Sequence, residues 1–199
     1  MNSKNSIGKY LIIVGILLIL VSALIVVYNS YLEFNAGVKS MDVVNVIKDS
    51  INNEVDAIKL NNNNKDMDII SVDGYDYIGT IIIPKINLEL PVMSSYDNQK
   101  LNIAPCRYYG SIYSNDLIIC AHSYKTHFKY LINLSQGDEI IFTDVNGINY
   151  VYEVLEIEIL NPNDVNEMID NDFDLTLYTC TNDGLNRVTI RCNRMIDVI

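Results

Sequence analysis

The chain has 199 residues, a formal net charge of -11 and four cysteines. This length suits one domain of about 100 to 150 residues with an attachment segment. The strong negative charge argues against a nucleic-acid partner, because phosphate backbones are bound by clustered lysine and arginine.

The first element in the chain is an uncharged apolar segment, Tyr10–Tyr28. As a helix it would extend about 28 Å, which matches the hydrocarbon core of a bilayer. A cleaved signal peptide is the alternative, but its apolar region would be shorter and would end in an A-x-A-like site, which the residues after Tyr28 lack. We therefore expect residues 10–28 to be an uncleaved transmembrane anchor.

The charges before this segment predict its orientation. Lys4 and Lys9 precede it and no acidic residue does, so the positive-inside tendency favours a cytoplasmic N-terminus over residues 1–9. Everything after the anchor is then outside the cell. The expected localisation is the cell membrane, with a single pass and an extracellular domain.

Residues 29–74 are predicted to form a stalk helix and an Asn-rich linker. The linker, with its asparagine run at 61–64, has too little apolar surface to offset the entropy lost on ordering. The helix is predicted from an apolar face. This helix could be a free stalk or could pack on the domain surface, because the pattern shows only that one face favours burial. The residues at these helical spacings of three and four are Val44, Ile47, Ile51, Val55 and Ile58.

From about residue 75 the chain changes to short β-branched and aromatic runs separated by Pro, Gly, Asn and Asp, which is typical of an all-β domain over residues 75–199. Asn146-Gly147 joins two of these runs and suits the type I′ turn of a β-hairpin. The predicted strands are residues 78–83, 88–92, 117–122, 139–143, 149–160, 175–179 and 187–193.

The four cysteines, Cys106, Cys120, Cys180 and Cys192, all lie in the second half of the chain. An even number outside the cell is compatible with two disulfides. A domain of this length can form a core without such cross-links, so at least one free, reactive thiol is the favoured interpretation.

A thiol enzyme also needs a base or cation beside the nucleophile and a donor for the oxyanion. The chain has two histidines. His122 ends an apolar strand and is placed to face a cleft, whereas His127, in the polar segment that follows, is interpreted as a surface or structural residue. Cys180 closes another strand and precedes a turn, which would hold a nucleophile rigidly and leave it exposed.

Alternation along the last predicted strand separates its side chains into two faces. Arg187, Thr189 and Arg191 share a polar face, and the residues between them form a core face together with Cys192. Cys192 is therefore predicted to be a buried, unreactive thiol. Cys120 is also interpreted as a core residue, because free cysteine is among the most buried residue types.

The segment at 175–180, Leu-Thr-Leu-Tyr-Thr-Cys, resembles the TLxTC signature of the sortase family, with Arg187 at the position of the family's downstream arginine. Ala121 departs from the glycine that many sortases have before the histidine, but it is small enough for an unchanged role. The resemblance covers about residues 77–194. Further segments that carry it are the opening strands at 79–86 and 90–92, the histidine segment at 120–122 and the Gly-Asp step at 137–138.

The resemblance implies a closed eight-stranded sortase-type β-barrel with short helices. It implies that Cys180 attacks the threonine carbonyl of an LPxTG-like sorting signal in a secreted surface protein. An amine of a peptidoglycan precursor or of a pilin would then resolve the thioacyl enzyme. His122 would act as general acid and later as general base, and Arg187 would bind the carbonyl or its oxyanion. No metal or cofactor is expected.

Candidate substrate-binding residues lie on the strand of the nucleophile, namely Thr176, Tyr178 and Thr179. The segment at 161–174 is short and shows no long inserted helix of the kind in class B sortases. No lid motif or hydrophobic C-terminal span typical of the pilus-polymerising class is evident either. These features favour a class D-like or compact class B-like member.

Two alternatives stay open. The first is another extracellular Cys/His peptidase or cell-wall transpeptidase, although a papain-like enzyme would have its cysteine before its histidine in the chain. The second is a zinc-binding structural module built from Cys106, Cys120, His122 and His127. The two histidines have a spacing that zinc sites use, but no paired cysteines accompany them.

Overall fold

The computed structural model describes residues 3–54, 66–170 and 172–195. Its first element is helix α1, Ser3–Glu54, which continues without a break from the apolar segment into the predicted stalk. The large apolar side chains of the predicted anchor are exposed, and by length and composition α1 is the one described helix that could cross a membrane. The asparagine run at 61–64, with Val55 and Ile58, lies outside the described residues.

Nine strands and a short second α-helix follow α1 in the described part of the chain. All seven predicted strands are present. Helix α2, Val165–Ile169, lies between the seventh and eighth strands. The strands are β1 Ile70–Val72, β2 Tyr75–Ile83, β3 Leu88–Met93, β4 Cys106–Tyr109, β5 Leu117–Cys120, β6 Glu139–Asp144, β7 Asn149–Leu160, β8 Leu175–Cys180 and β9 Arg187–Arg194.

Eight of these strands close into a mixed barrel in the order β2-β3-β4-β5-β8-β9-β7-β6, with β6 pairing back onto β2. The β3–β4 and β5–β8 pairs are parallel, whereas the other neighbours are antiparallel. The predicted closed barrel is confirmed. β1 pairs with the start of β2, so the folded domain begins before the predicted boundary at residue 75.

The predicted hairpin joins β6 to β7, but its turn is not of type I′. That turn needs positive φ at both central residues, and of the two only Gly147 has it, at 79°. The Gly147 N–H donates to the Asp144 carbonyl, and the Asp144 N–H donates to the Ile148 carbonyl. The Asp144 carboxylate accepts the N–H groups of Asn146 and Ile148 at 2.9 Å each, which stabilises a wider turn.

The main core fills the barrel and includes Ile81, Phe142, Val154, Leu177 and Ile190, all fully buried. These residues come from five strands, and Leu90 of β3 and Leu117 of β5 join the same cluster, so the interior is filled by side chains rather than open as a channel. The residues available for a site are therefore those on the outer face and at the rims.

Helix α1 packs on the outside of the barrel, so its apolar face belongs to a surface-packed helix and not to a free stalk. Val43 and Ile47 are buried in a second cluster with Tyr77 and Met93 of the barrel. Burying an aliphatic side chain of this size stabilises a fold by about 1.5 to 3 kcal/mol. The Ser40 hydroxyl adds a hydrogen bond of 2.9 Å to the Ile103 carbonyl, and Lys48 forms an ion pair of 2.6 Å with Glu89.

Candidate active site

The parallel pairing of β5 with β8 places His122 beside Cys180. The register sets Cys120 opposite Tyr178, and the ladder continues past the strand end through the Ala121 N–H, which donates to the Tyr178 carbonyl at 3.2 Å. The Thr179 hydroxyl then donates to the Ala121 carbonyl at 2.8 Å. The next residues on the two strands are His122 and Cys180, so both stand at the same level of the barrel rim.

Arg187 joins them from the other side, because it is paired directly with Cys180 across β8 and β9. The turn between these strands is held by its own hydrogen bonds. The Thr181 N–H donates to the Asn186 carbonyl at 2.9 Å, and the Asn186 N–H donates to the Thr181 hydroxyl at 3.0 Å. His122, Cys180 and Arg187 therefore lie in one row across three adjacent strands, on the outer face of the barrel.

All three side chains of this row are half-buried, which is the exposure that a reacting group needs. Beside Cys180 lies a groove of about 120 Å³ whose walls include Ser123, Lys129, Ile132 and Ile159. The last two are apolar and about half exposed, at 49% and 50%. The groove thus offers an extended substrate an apolar wall next to the nucleophile.

The surroundings of His122 favour the neutral form of its ring over the charged form. Its ring lies 4.9 Å from the ring of Tyr124, centroid to centroid, and its carbonyl accepts the Phe128 N–H at 3.2 Å. Burial lowers the pKa of His122 below its usual value, because the charged form loses hydration. A neutral imidazole beside a thiol can accept a proton at neutral pH.

His127 is a structural residue and not a surface one, since its side chain is fully buried. Within the described residues neither ring nitrogen has a hydrogen-bond partner of good geometry. The centroid of its ring lies 5.5 Å from that of Tyr124, with the two rings tilted by 39°. Burial, with a smaller contribution from His122, lowers the pKa of His127 to about 4, and the Ile103 backbone offsets part of this shift.

The four cysteines are free, and three of them are buried. The predicted burial of Cys192 and of Cys120 is confirmed. Burial raises the pKa of Cys106 to about 11 and that of Cys120 to about 12, and it raises the pKa of Cys192 further. Cys180 is the one half-exposed thiol, and so the one placed to react with a substrate.

Two of the three candidate substrate-binding residues need correction. Thr179 is buried with its hydroxyl bound to the Ala121 carbonyl, and Thr176 is buried with its hydroxyl accepting from Arg191 at 3.1 Å. Neither has the exposed surface that substrate contact requires, so both hold the strands in place. Tyr178 is half-buried on the same outer face as Cys180 and remains a candidate.

The polar face predicted for β9 is also not a solvent-exposed face. Thr189 and Arg191 are both buried, at 0% and 2% exposure. Arg191 forms an ion pair of 2.6 Å with Glu158 of β7 and donates to the backbone carbonyls of Glu167 and Met168. It therefore ties α2 to the barrel wall, whereas Arg187 at the end of the strand reaches the rim.

An aromatic ladder beside the site escaped the sequence analysis. The ring of Tyr108 contacts Tyr178 edge-on at 5.5 Å and Tyr96 at 5.6 Å. Tyr108 lies on β4, a strand that shows no apolar alternation because its residues are Cys-Arg-Tyr-Tyr. The sequence feature that points to a tyrosine cluster is the composition, because the chain has 14 tyrosines and no tryptophan.

The residues of the zinc alternative are not brought together as a metal site. Within the described residues, no group of three or more His, Cys, Asp or Glu side chains is placed to hold a metal ion. Instead the rim presents a thiol, an imidazole and a permanent cation in one row. This set can form a covalent acyl intermediate, move a proton and stabilise an oxyanion.

Comparisons with known proteins agree with this arrangement. The sortase-domain family model matches residues 81–195, whereas a search among curated proteins gave no match. Sortase A from Corynebacterium diphtheriae is 26% identical, with a TM-score of 0.54 over 61% of this chain and 62% of that chain. This chain thus spans less than two thirds of that protein.

Two further solved structures extend the comparison. Sortase C1 from Streptococcus agalactiae is 27% identical, with a TM-score of 0.54 over 64% of this chain and 72% of that chain. A Clostridium perfringens sortase D5 transpeptidase is 20% identical, with a TM-score of 0.59 over 79% of this chain and 99% of that chain. At that identity the last similarity concerns the fold alone.

Proposed function

Because this chain belongs to the sortase family, we propose that it is a membrane-anchored cysteine transpeptidase with Cys180 as nucleophile, His122 as acid and base, and Arg187 as the oxyanion donor. The observation that carries the proposal is the row of these three side chains at the barrel rim. The proposed substrate is an LPxTG-like sorting signal in a secreted surface protein.

The first half-reaction forms the thioacyl enzyme. Cys180 Sγ gives its proton to the neutral His122 and attacks the threonine carbonyl carbon, so a C–S bond forms and the carbonyl oxygen gains negative charge. Arg187 stabilises this oxyanion with a guanidinium that stays charged at any physiological pH. The imidazolium then gives its proton to the leaving amine as the C–N bond breaks.

The second half-reaction reverses these roles. An incoming amine, from a peptidoglycan precursor or from a pilin, loses a proton to His122 and attacks the thioacyl carbon. A new amide bond forms and the Cys180 thiolate leaves. His122 returns the proton to the thiolate, so the enzyme is regenerated without a cofactor.

The proposed location is the outer face of the cell membrane, with residues 1–9 cytoplasmic, 10–28 in the bilayer and the barrel outside. Support comes from the apolar, exposed first part of α1 and from Lys4 and Lys9 before it. We propose that the enzyme belongs to a class D-like or compact class B-like group, because the described residues between β7 and β8 contain only the five-residue helix α2.

The test is cleavage of a fluorogenic LPxTG-like peptide by the full chain in detergent micelles. Cys180→Ala is expected to abolish cleavage while leaving the circular dichroism spectrum unchanged. Cys120→Ala is the matched control, because this thiol is two residues from His122 but buried, and it should retain activity. Residual cleavage by Cys180→Ala would refute the proposed nucleophile.

A further inference from the structure

The barrel contacts α1 just where the helix leaves the apolar segment. The contact is made by the post-histidine loop, Ser123–Tyr130. The Lys125 N–H donates to the Glu33 carboxylate, and the Thr126 hydroxyl donates to the Glu33 carbonyl at 3.2 Å. The approach is close, because a Cβ at Gly37 would lie 2.7 Å from the Thr126 methyl group. A larger residue at position 37 would therefore require the Thr126 side chain to move.

The same loop also reaches the end of the apolar segment itself. A cavity of about 400 Å³ separates the loop from α1, and its helix side includes Val26, Asn29 and Ser30. Val26 belongs to the predicted anchor, 10–28. On the barrel side the cavity is lined by Ser123, Tyr124 and Lys129.

The helix fixes the height of this loop relative to a bilayer. Glu33 is five residues beyond Tyr28, which corresponds to about 7.5 Å along an α-helix. The headgroup layer on each side of a bilayer is about 5 to 8 Å thick. Gly37 is nine residues beyond Tyr28, about 13.5 Å along the helix, and so lies just outside this layer. A barrel that is bound to α1 at Glu33 therefore carries the part of the post-histidine loop that faces Val26 to Glu33 at the level of the headgroups.

The side chains at this level are those that a bilayer interface favours. Tyr130 of the loop is 40% exposed, and Tyr31 and Phe34 on α1 are 61% and 66% exposed. Lys125 and Lys129 add two cations, and no acidic residue occurs between positions 117 and 137 of a chain with net charge -11. Aromatic rings and lysines are the residues enriched where membranes meet water, and lysines are attracted to anionic lipid.

We propose that the post-histidine loop is a membrane-interface surface, which docks the rim of the barrel on the headgroups of the bilayer in which α1 is anchored. This inference rests on the anchoring that forms part of the proposed function. Its consequence concerns access to the site. The groove at Cys180 shares Ser123 and Lys129 with the cavity against α1, so it opens close to the lipid surface and favours peptides presented near the membrane.

The chain has no tryptophan, so single tryptophans can report depth in the bilayer. The full chain is reconstituted in phosphatidylcholine–phosphatidylglycerol vesicles, with and without lipids brominated near the top and, in separate samples, near the end of the acyl chain. Tyr130→Trp probes the loop and Leu20→Trp probes the anchor. Ile148→Trp is the matched control, because Ile148 is equally exposed at 40%.

The control position lies far along the helix. Its neighbour Gly147 is against Ile51, which is 18 residues beyond Glu33 and so about 27 Å further along α1. Brominated lipid is expected to quench Leu20→Trp and Tyr130→Trp and to leave Ile148→Trp unchanged. If Leu20→Trp is quenched while Tyr130→Trp behaves like Ile148→Trp, the docking is refuted and the anchor stands. An unquenched Leu20→Trp would refute both, whereas peptide cleavage by the same samples reports on Cys180 independently.

Discussion

The outer face of strands β8 and β9 carries two polar sites that differ in how their charges are satisfied. At the rim, Cys180 is half-buried beside Arg187, whose guanidinium makes one hydrogen bond within the described residues, to the adjacent Asn186 carbonyl at 3.1 Å. In the middle of the strands Arg191 is buried and makes four hydrogen bonds. A guanidinium whose donors are used by the protein holds the fold together, whereas one with unused donors can bind a substrate oxygen.

The two arginines differ because helix α2 covers Arg191 and does not cover Arg187. The carbonyls of Glu167 and Met168 come from α2, which lies over the middle of β9 and accepts from Arg191. At the rim the chain makes a tight turn instead, through Thr181 and Asn186. The same alternation of polar residues therefore yields a buried structural network at one level and the half-buried row of candidate catalytic side chains at the next.

The largest effect expected from this difference between the rim and the buried part of the strands is on the reactivity of the thiols. Cys180 at the rim is expected to react with a bulky thiol reagent at least about a thousandfold faster than Cys192, because a buried thiol reacts only through opening of the fold. The raised pKa of Cys106, Cys120 and Cys192 adds to their protection. Mass spectrometry of peptides from native and urea-treated protein measures the rates. Rapid native labelling of Cys192 would show that the core face of β9 is assigned wrongly.

Arg191→Ala is expected to destabilise the fold by about 3 to 5 kcal/mol, since it leaves a partly buried carboxylate and several buried acceptors without their cation. Urea unfolding followed by circular dichroism measures this loss. Arg191→Lys should recover only part of it, because an ammonium cannot supply the same planar set of donors. A change below about 1 kcal/mol would mean that the network is only a surface ion pair.

Arg187→Ala is expected to lower kcat/KM by at least about a hundredfold, which is the scale for a lost oxyanion donor. Its unfolding midpoint in urea should stay close to that of the parent chain, in contrast to Arg191→Ala. Arg187→Lys should recover little activity, because a point charge on a flexible stem does not reproduce the fork. If Arg187→Ala unfolds early and keeps its activity per folded molecule, the two arginines have exchanged roles.

The contrast between the two arginines also shows what the sequence could predict. Seven of the barrel's strands and the burial of Cys192 follow from β-branched runs and alternation, whereas the closed barrel was implied only by the resemblance to sortases. Alternation also places Arg187 and Arg191 on one face, and this is correct. It could not reveal that α2 covers one of them, because burial of a polar side chain depends on a partner that is distant in the sequence.

The same limit explains the elements that were missed. β1 has three residues and β4 has four, which is too short for a period of two to be detected. The apolar face of α1 was found, but its partner was not, since Ile47 contacts Tyr77 only in the folded chain. Thr176 and Thr179 were predicted to bind substrate because they lie on the strand of the proposed nucleophile. Residues on that strand can equally well hold it in place through hydrogen bonds, as these two do.

The two histidines extend the comparison, because both rings contact Tyr124 but His122 is half-buried at the rim and His127 is fully buried. His127 is buried, and its pKa is lowered to about 4, below the unfolded value of about 6.5. The unfolded chain therefore binds more protons between these two values, and stability must fall as the pH decreases through this window.

Lowering the pH from 7.5 to 5 should cost about 2 kcal/mol of unfolding free energy through His127 alone. Urea titrations at the two pH values measure the total change, to which His122 adds in the same direction because its pKa is also lowered.

His127→Leu isolates the contribution of His127 to this change, because it keeps an apolar side chain in the buried site and leaves His122 in place. Between pH 7.5 and 5, this variant should lose less unfolding free energy than the parent chain, by about the same 2 kcal/mol. Its stability at pH 7.5 shows whether the buried site of His127 tolerates leucine. An equal loss in both chains would mean that His127 is charged in the folded protein, and the assignment of a neutral, structural histidine behind the rim would then be wrong.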